Sequence, residues 1–145
     1  MAKQQINTQQ QPVDYIQTIL SSNHTMSSSS ATVPFSSTQL SGGSKLTRSG
    51  NAVIVGAGVS RVRVSYSLMA DSAVSAPYLF ARTRINTSDL SQQLNGPAAG
   101  FMSVSETKIF NVSPGDAITI FADCGGGSAI LSTGRQSFML VEVVQ

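Results

Sequence analysis

From Phe101 to Gln145 apolar and polar residues alternate through several short runs, and the runs stop at Ser113-Pro114-Gly115-Asp116 and at Cys124-Gly125-Gly126-Gly127. A period of two sends one face of each run to a core and the other to water, as a half-buried strand requires. Pro and Gly at the centre of the first stop suit a type II turn, which reverses the chain within four residues. The stretch is therefore constrained to short antiparallel strands.

The same texture extends upstream. Between Val59 and Met69, Val62, Val64, Tyr66 and Leu68 share one face, while Arg61, Arg63, Ser65 and Ser67 share the other. From Tyr78 to Ile85, Leu79, Ala81, Thr83 and Ile85 alternate against Tyr78, Phe80, Arg82 and Arg84. Shorter strands are predicted at Val33–Phe35, Lys45–Arg48 and Ala52–Val55, with turns at Ser41-Gly42-Gly43 and Gly56-Ala57-Gly58. Asp71–Ala76 reads as a loop. Asn86–Gly100 reads as a long polar loop with one helical turn near Asp89–Leu94. In the last run Met139, Val141 and Val143 oppose Phe138, Leu140 and Val144. Apolar residues on both faces predict a central strand covered on both sides. The expectation is an all-β fold: an antiparallel β-sandwich, a jelly roll of about eight strands, with an extended N-terminal arm.

The arm comprises residues 1–32, ahead of a jelly-roll domain over 33–145. Residues 3–11 are rich in Gln. Pro12 is suited to open a short helix with Asp14 in its first turn, which would put Val13, Ile16, Ile19 and Leu20 on one face. Ser21–Thr32 is nearly all Ser and Thr and reads as a flexible linker. A helix this short is marginal by itself, so an ordered arm implies something to dock on. Val13, Tyr15, Ile16, Ile19 and Leu20 are the candidate anchoring residues.

Composition narrows the chemistry. Charged residues make up 11% of the 145 residues, well below the usual quarter, and Ser and Thr fill the gap. The formal charge is +2, and the nine basic residues are dispersed, unlike the clustered footprint of a nucleic-acid binder. Cys124 is the single cysteine, so no intrachain disulfide forms. The residues after Met1 lack the apolar stretch of a signal peptide, and no window approaches a membrane span. His24, the single histidine, sits in the Ser-rich linker, where nothing holds it for a catalytic triad. The seven acids show no calcium-loop spacing. Glu106 and Glu142 could face each other as a hydrolytic pair only if their strands place both in one cleft. Gly42-Gly43-Ser44-Lys45 lacks the spacing and following helix of a phosphate loop. No catalytic residue, metal or cofactor is expected.

The order of strands resembles the trimeric jelly roll shared by tumour necrosis factor and the complement globular head. The resemblance rests on an early Val33-Pro34-Phe35 strand, on Gly58–Tyr66 with its Arg-Val-Arg-Val core, on Val112–Ile120 with its Ser-Pro-Gly-Asp hairpin, and on the last strand, Ser137–Val144. Domains of this texture are frequent in bacteriophage virion proteins behind a short anchoring arm. The resemblance implies a homotrimer packed around an aromatic face, for which Tyr66, Tyr78, Phe80 and Phe110 are the candidates.

Three functions compete. The first is a non-enzymatic structural virion protein: a trimeric capsid decoration or cement module made in the host cytoplasm, displayed on the particle surface, and anchored by its arm to the major capsid protein or another virion protein. Three arms per trimer would raise avidity without one tight contact. The alternative is a receptor- or carbohydrate-binding tip of a phage tail or head fibre, with a host-surface glycan bound by loops Asp71–Ala76 and Asn86–Gly100. The third, a hydrolase, lacks a suitable general base in its ordered segments. Neither nucleic acid nor membrane is an expected partner.

Overall fold

The computed structural model describes residues 13–74, 76–95 and 102–145. Thirteen strands and one 3-10 turn account for the regular structure, and every pairing is antiparallel. The strands are β1 (Tyr15–Ile19), β2 (His24–Met26), β3 (Ala31–Thr32), β4 (Ser37–Gly42), β5 (Leu46–Ser49), β6 (Ala52–Val55) and β7 (Arg61–Val74). They continue with β8 (Leu79–Ile85), β9 (Ser88–Asn95), β10 (Met102–Asn111), β11 (Ala117–Asp123), β12 (Ser128–Leu131) and β13 (Phe138–Val143).

Two sheets face each other. In the seven-stranded sheet β7 is the spine: β10 pairs along one side, and β12 and β13 follow one another along the other. β2 then pairs with β12, β1 with β13, and β4 with β1. The six-stranded sheet runs β5-β6-β11-β8-β9, with β3 also on β11. The register lines up Val62, Val64, Tyr66 and Leu68 against Val143, Val141 and Met139 on one side and Phe110 and Val104 on the other. With Ile118, Ile120, Leu79 and Val53 from the facing sheet they make one continuous core.

The leading segment is a strand, not a helix on a tether. β1 lies between β13 and β4, so its backbone polar groups are satisfied by two neighbours. Ile16, Thr18 and Leu20 are buried in the core, while Tyr15, Gln17 and Ile19 are half-buried on the other face. The residues expected to share one helical face are thus divided between two faces of a sheet, and Val13 is 51% exposed. The Ser-rich stretch is also built in. It crosses from one sheet to the other through β2 and β3 and buries Met26. Thr133 N donates to Asn23 Oδ1, and Cys124 N donates to Ser27 O. The sandwich therefore includes residues 13–32 as well as the described residues after them. The Gln-rich part of the expected arm, residues 1–12, lies outside the described residues.

Two expected loops are largely strand. Residues 71–74 extend β7, and 88–95 form β9, an edge strand paired to β8. The strand expected at Val33–Phe35 is instead an irregular buried passage, with Val33 N bonded to Ile120 O, and pairing resumes in β4. The type II turn at 113–116 is present: Gly115 has φ +92, the conformation that position needs.

Candidate subunit interface

The outward face of the seven-stranded sheet carries an apolar patch. Strand parity, once Val62, Val64 and Tyr66 turn inward, sends Tyr15, Ile19, Met69, Phe138 and Leu140 outward, where each is half-buried. Leu40 and Ile109, on the flanking strands, are 55% and 47% exposed. Between these side chains lies a hollow of about 320 Å3 with Ile19, Met69 and Phe138 as apolar walls and Gln17, Gln39, Gln136 and Ser67 around them. Gln17 Nε2 donates to Gln39 Oε1 at 2.8 Å, which fixes one side of that rim. At one end of the face Arg63 stands 3.6 Å from Glu142. A lone sandwich exposes polar residues on such a face; a covered one carries apolar residues.

The four aromatic candidates read from sequence do not build this face. Tyr66 and Phe110 are 1% and 6% exposed and point between the sheets. Their parity with Val62 and Val64 puts them in the core of the single subunit. Tyr78 precedes β8, with its ring so close to Gly125 that a side chain there would collide with it. Phe80 points outward from the other sheet. Among the described residues, the aromatic side chains on the seven-stranded face are Tyr15 and Phe138. Tyr15 belongs to the candidate anchoring residues, not to the four aromatic candidates for self-contact. Phe138 was legible only as part of a last strand apolar on both sides.

The outward face of the six-stranded sheet is chemically different. Asp89 grips Arg82 at 2.9 Å and Arg84 at 2.7 Å. Both guanidinium groups hold its carboxyl below the usual carboxylate range, Arg84 foremost. Arg84 lies 3.6 Å from the centre of the Phe121 ring and Arg82 4.8 Å from that of Phe80. Ser30 accepts from Arg82 at 2.6 Å and donates to Asp123. The rings are thus capped by cations rather than offered as stacking platforms.

Glu106 and Glu142 belong to opposite faces. Glu106 turns inward beside Tyr66, where it accepts from Ser91 at 2.6 Å, while Glu142 turns outward beside Arg63. They cannot flank one substrate. Burial, reinforced by the neighbouring Glu106, pushes the Tyr66 hydroxyl well up. His24 is half-buried on β2, and its burial holds its pKa down. Cys124 is buried. Among the described residues no three His, Cys, Asp or Glu side chains are grouped to hold a metal ion. The turn Gly42–Lys45 already holds an anion, the Asp14 carboxylate, on the N–H groups of Ser44 and Lys45.

The sheet order and the antiparallel pairing among the described strands make a two-layer β-sandwich of the jelly-roll type. In sequence, no protein-family model and no curated protein matches the chain. Among solved structures, murine APRIL at pH 5.0 superposes with a TM-score of 0.72 at 12% identity, covering 91% of this chain and 99% of that one. The Eiger TNF from S. frugiperda gives 0.68 at 13%, covering 93% and 94%. The PRD1 vertex protein P5 gives 0.65 at 14%, covering 91% and 95%. At these identities the likeness establishes the fold.

Proposed function

We propose that this chain is a non-enzymatic structural protein of a virus particle, assembled as a homotrimer through the outward face of its seven-stranded sheet. The observation that carries the reading is that face: five half-buried apolar side chains, Tyr15, Ile19, Met69, Phe138 and Leu140, on its central strands. Because each is already half-buried, covering it fully contributes about half of the roughly 1.5–3 kcal/mol gained by burying an exposed side chain. The likeness to a phage vertex protein supports the placement on a virion. In this reading the trimer decorates the particle surface, is made in the host cytoplasm, and contacts the major capsid protein or another virion protein. Anchoring falls to residues 1–12, since residues 13–32 are used by the sandwich itself. On the six-stranded face the capped rings of Phe80 and Phe121 are unsuited to stack a sugar, which weighs against the sugar-binding alternative there.

Analytical ultracentrifugation of the full chain tests the assembly. The expected mass is three times 15.2 kDa, falling to one chain in Phe138→Asp/Leu140→Asp. A lone subunit at high micromolar concentration overturns the reading. Antibody labelling of purified intact particles tests the location: surface labelling is expected, and label confined to the soluble fraction refutes it.

A further inference from the structure

Of the six asparagines in the chain, at positions 7, 23, 51, 86, 95 and 111, Asn95 alone is followed by glycine. That pair is chemically distinctive. The backbone nitrogen after an asparagine can attack the side-chain carboxamide, and a side chain on the following residue obstructs the approach. Gly96 carries none. The residues after Asn23, Asn51, Asn86 and Asn111 are His24, Ala52, Thr87 and Val112.

The fold sharpens the difference. The carboxamide of Asn86 is held at both ends: Nδ2 donates to Asp116 Oδ1 at 2.9 Å, and Oδ1 accepts from Ala117 N at 3.0 Å. Asn23 Oδ1 accepts from Thr133 N. Asn95 is the last residue of β9, an edge strand in which every residue is exposed except the half-buried Ser91. An extended backbone keeps the next nitrogen away from the carboxamide carbon, so attack requires Asn95 to leave the strand. The end of an edge strand that buries no side chain opens at little cost.

We propose that Asn95-Gly96 is a self-modification site, at which Asn95 converts to aspartate or isoaspartate with water as co-reactant. The Gly96 nitrogen attacks Asn95 Cγ; that C–N bond forms and the Cγ–Nδ2 bond breaks. Nδ2 departs as ammonia with the proton of the Gly96 nitrogen, leaving a five-membered imide. Water then adds to either imide carbonyl, its hydroxyl going to carbon and its remaining proton to nitrogen. Opening at one carbonyl gives aspartate, and at the other isoaspartate, whose main chain runs through the former side chain. Nothing is oxidised or reduced.

The conversion has a structural consequence. Asn95 Nδ2 donates to Ser103 O at 2.7 Å and so ties β9 of one sheet to β10 of the other. Two further ties across this seam, from Ser91 at 2.6 Å and Gln93 at 3.4 Å, end on Glu106. A carboxylate at position 95 has no proton to donate, so it meets the Ser103 carbonyl acceptor to acceptor. It also places a second negative charge on the seam that holds Glu106, and takes one unit from the formal charge of +2. β9 then frays from its Asn95 end.

The test is incubation of the full chain at mildly alkaline pH and body temperature, followed by peptide mapping with mass spectrometry. Conversion is expected at Asn95, as two products of equal mass that separate on chromatography, and not at Asn23, Asn51, Asn86 or Asn111. It should be lost in Gly96→Val. Ammonia release should be lost as well in Asn95→Gln, which keeps a carboxamide but lengthens the ring that must close. An Asn95 that stays intact in the parent, or a Gly96→Val chain that converts at the parent rate, overturns the proposal. Hydrogen exchange on Asn95→Asp tests the consequence. Its β9 amides should exchange about five-fold faster than those of the parent, as the loss of one hydrogen bond implies, with β7 unchanged. Equal exchange in β9 overturns the claim that the Asn95 tie secures that strand.

Discussion

Asp14 Oδ1 accepts a hydrogen bond from the backbone N–H of Ser44 at 2.8 Å and a second from Lys45 at 3.1 Å. The two residues are thirty apart in sequence, and the bond ties the start of the first strand to the turn between β4 and β5. Gly43 makes it possible: at φ +71 it tolerates the left-handed backbone, and any Cβ there would overlap the Asp14 carboxylate. Gly43→Ala should therefore lose about 1–2 kcal/mol from backbone strain, with a further loss as the carboxylate is displaced. Asp14→Ala should lose about 1 kcal/mol. Urea unfolding of both variants checks this, and a Gly43→Ala chain as stable as the parent would refute the account.

Because β1 is an interior strand, truncation has a threshold. Removing residues 1–20 strips Ile16 and Leu20 from the core, leaves β4 without its partner, and exposes one edge of β13. Two buried aliphatic side chains represent about 3–6 kcal/mol, comparable with the whole stability of many domains. The chain lacking 1–20 should fail to unfold cooperatively. The chain lacking 1–12 should keep its thermal midpoint within a few degrees. Differential scanning calorimetry distinguishes the two, and equal midpoints would contradict the assignment of β1 to the core.

The contrast between β7 and β1 explains what was legible in sequence. In β7 Val62, Val64, Tyr66 and Leu68 repeat every second residue long enough to exclude a helix. In β1 the run Val13, Ile16, Ile19, Leu20 is short, and its spacings of three and four mimic a helical face; only pairing with β13 and β4 resolves it. β9 carried no periodic signal, since Ser88–Asn95 is polar and exposed almost throughout, and its strand form follows from lying against β8. The candidate interface is half legible. The doubly apolar last strand predicts a covered face, whereas Tyr66 and Phe110 share the parity of Val62 and Val64, which places them in the core of the single subunit.

Acid stability should depend on the turn at the end of β10. Asp116 Oδ2 accepts from Ser113 N at 2.8 Å and Oδ1 accepts from Asn86 Nδ2 at 2.9 Å, and these bonds hold its carboxyl below the usual range. A depressed folded value means that the stabilisation is complete above the unfolded value near 3.9. It is lost as the pH falls through the folded value. Asp116→Asn should therefore lower stability at pH 7 and flatten the fall in stability below about pH 4. Denaturant midpoints from pH 7 down to pH 3 check this; a variant whose midpoints parallel those of the parent would show that the carboxylate does not act through its charge.

Tyr66 supplies the corresponding test at high pH. Its ring is buried between the sheets, and its hydroxyl lies 3.5 Å from Glu106 Oε2 and 3.5 Å from Ala81 O. Burial and the adjacent carboxylate both favour the neutral phenol, so its folded pKa lies above the ordinary value. That stabilisation is complete below about pH 10, the unfolded value, and is lost as the pH climbs toward the folded value. In a spectrophotometric titration of the folded protein, the Tyr66 signal should be missing at about pH 10, the unfolded value, and appear only at higher pH together with unfolding. Tyr66→Phe should remove the delayed step. Glu106→Gln should bring the step to lower pH without restoring it to the ordinary value, because burial, the larger cause, remains. If Glu106→Gln left the step unmoved, the carboxylate would play no part in holding the phenol neutral.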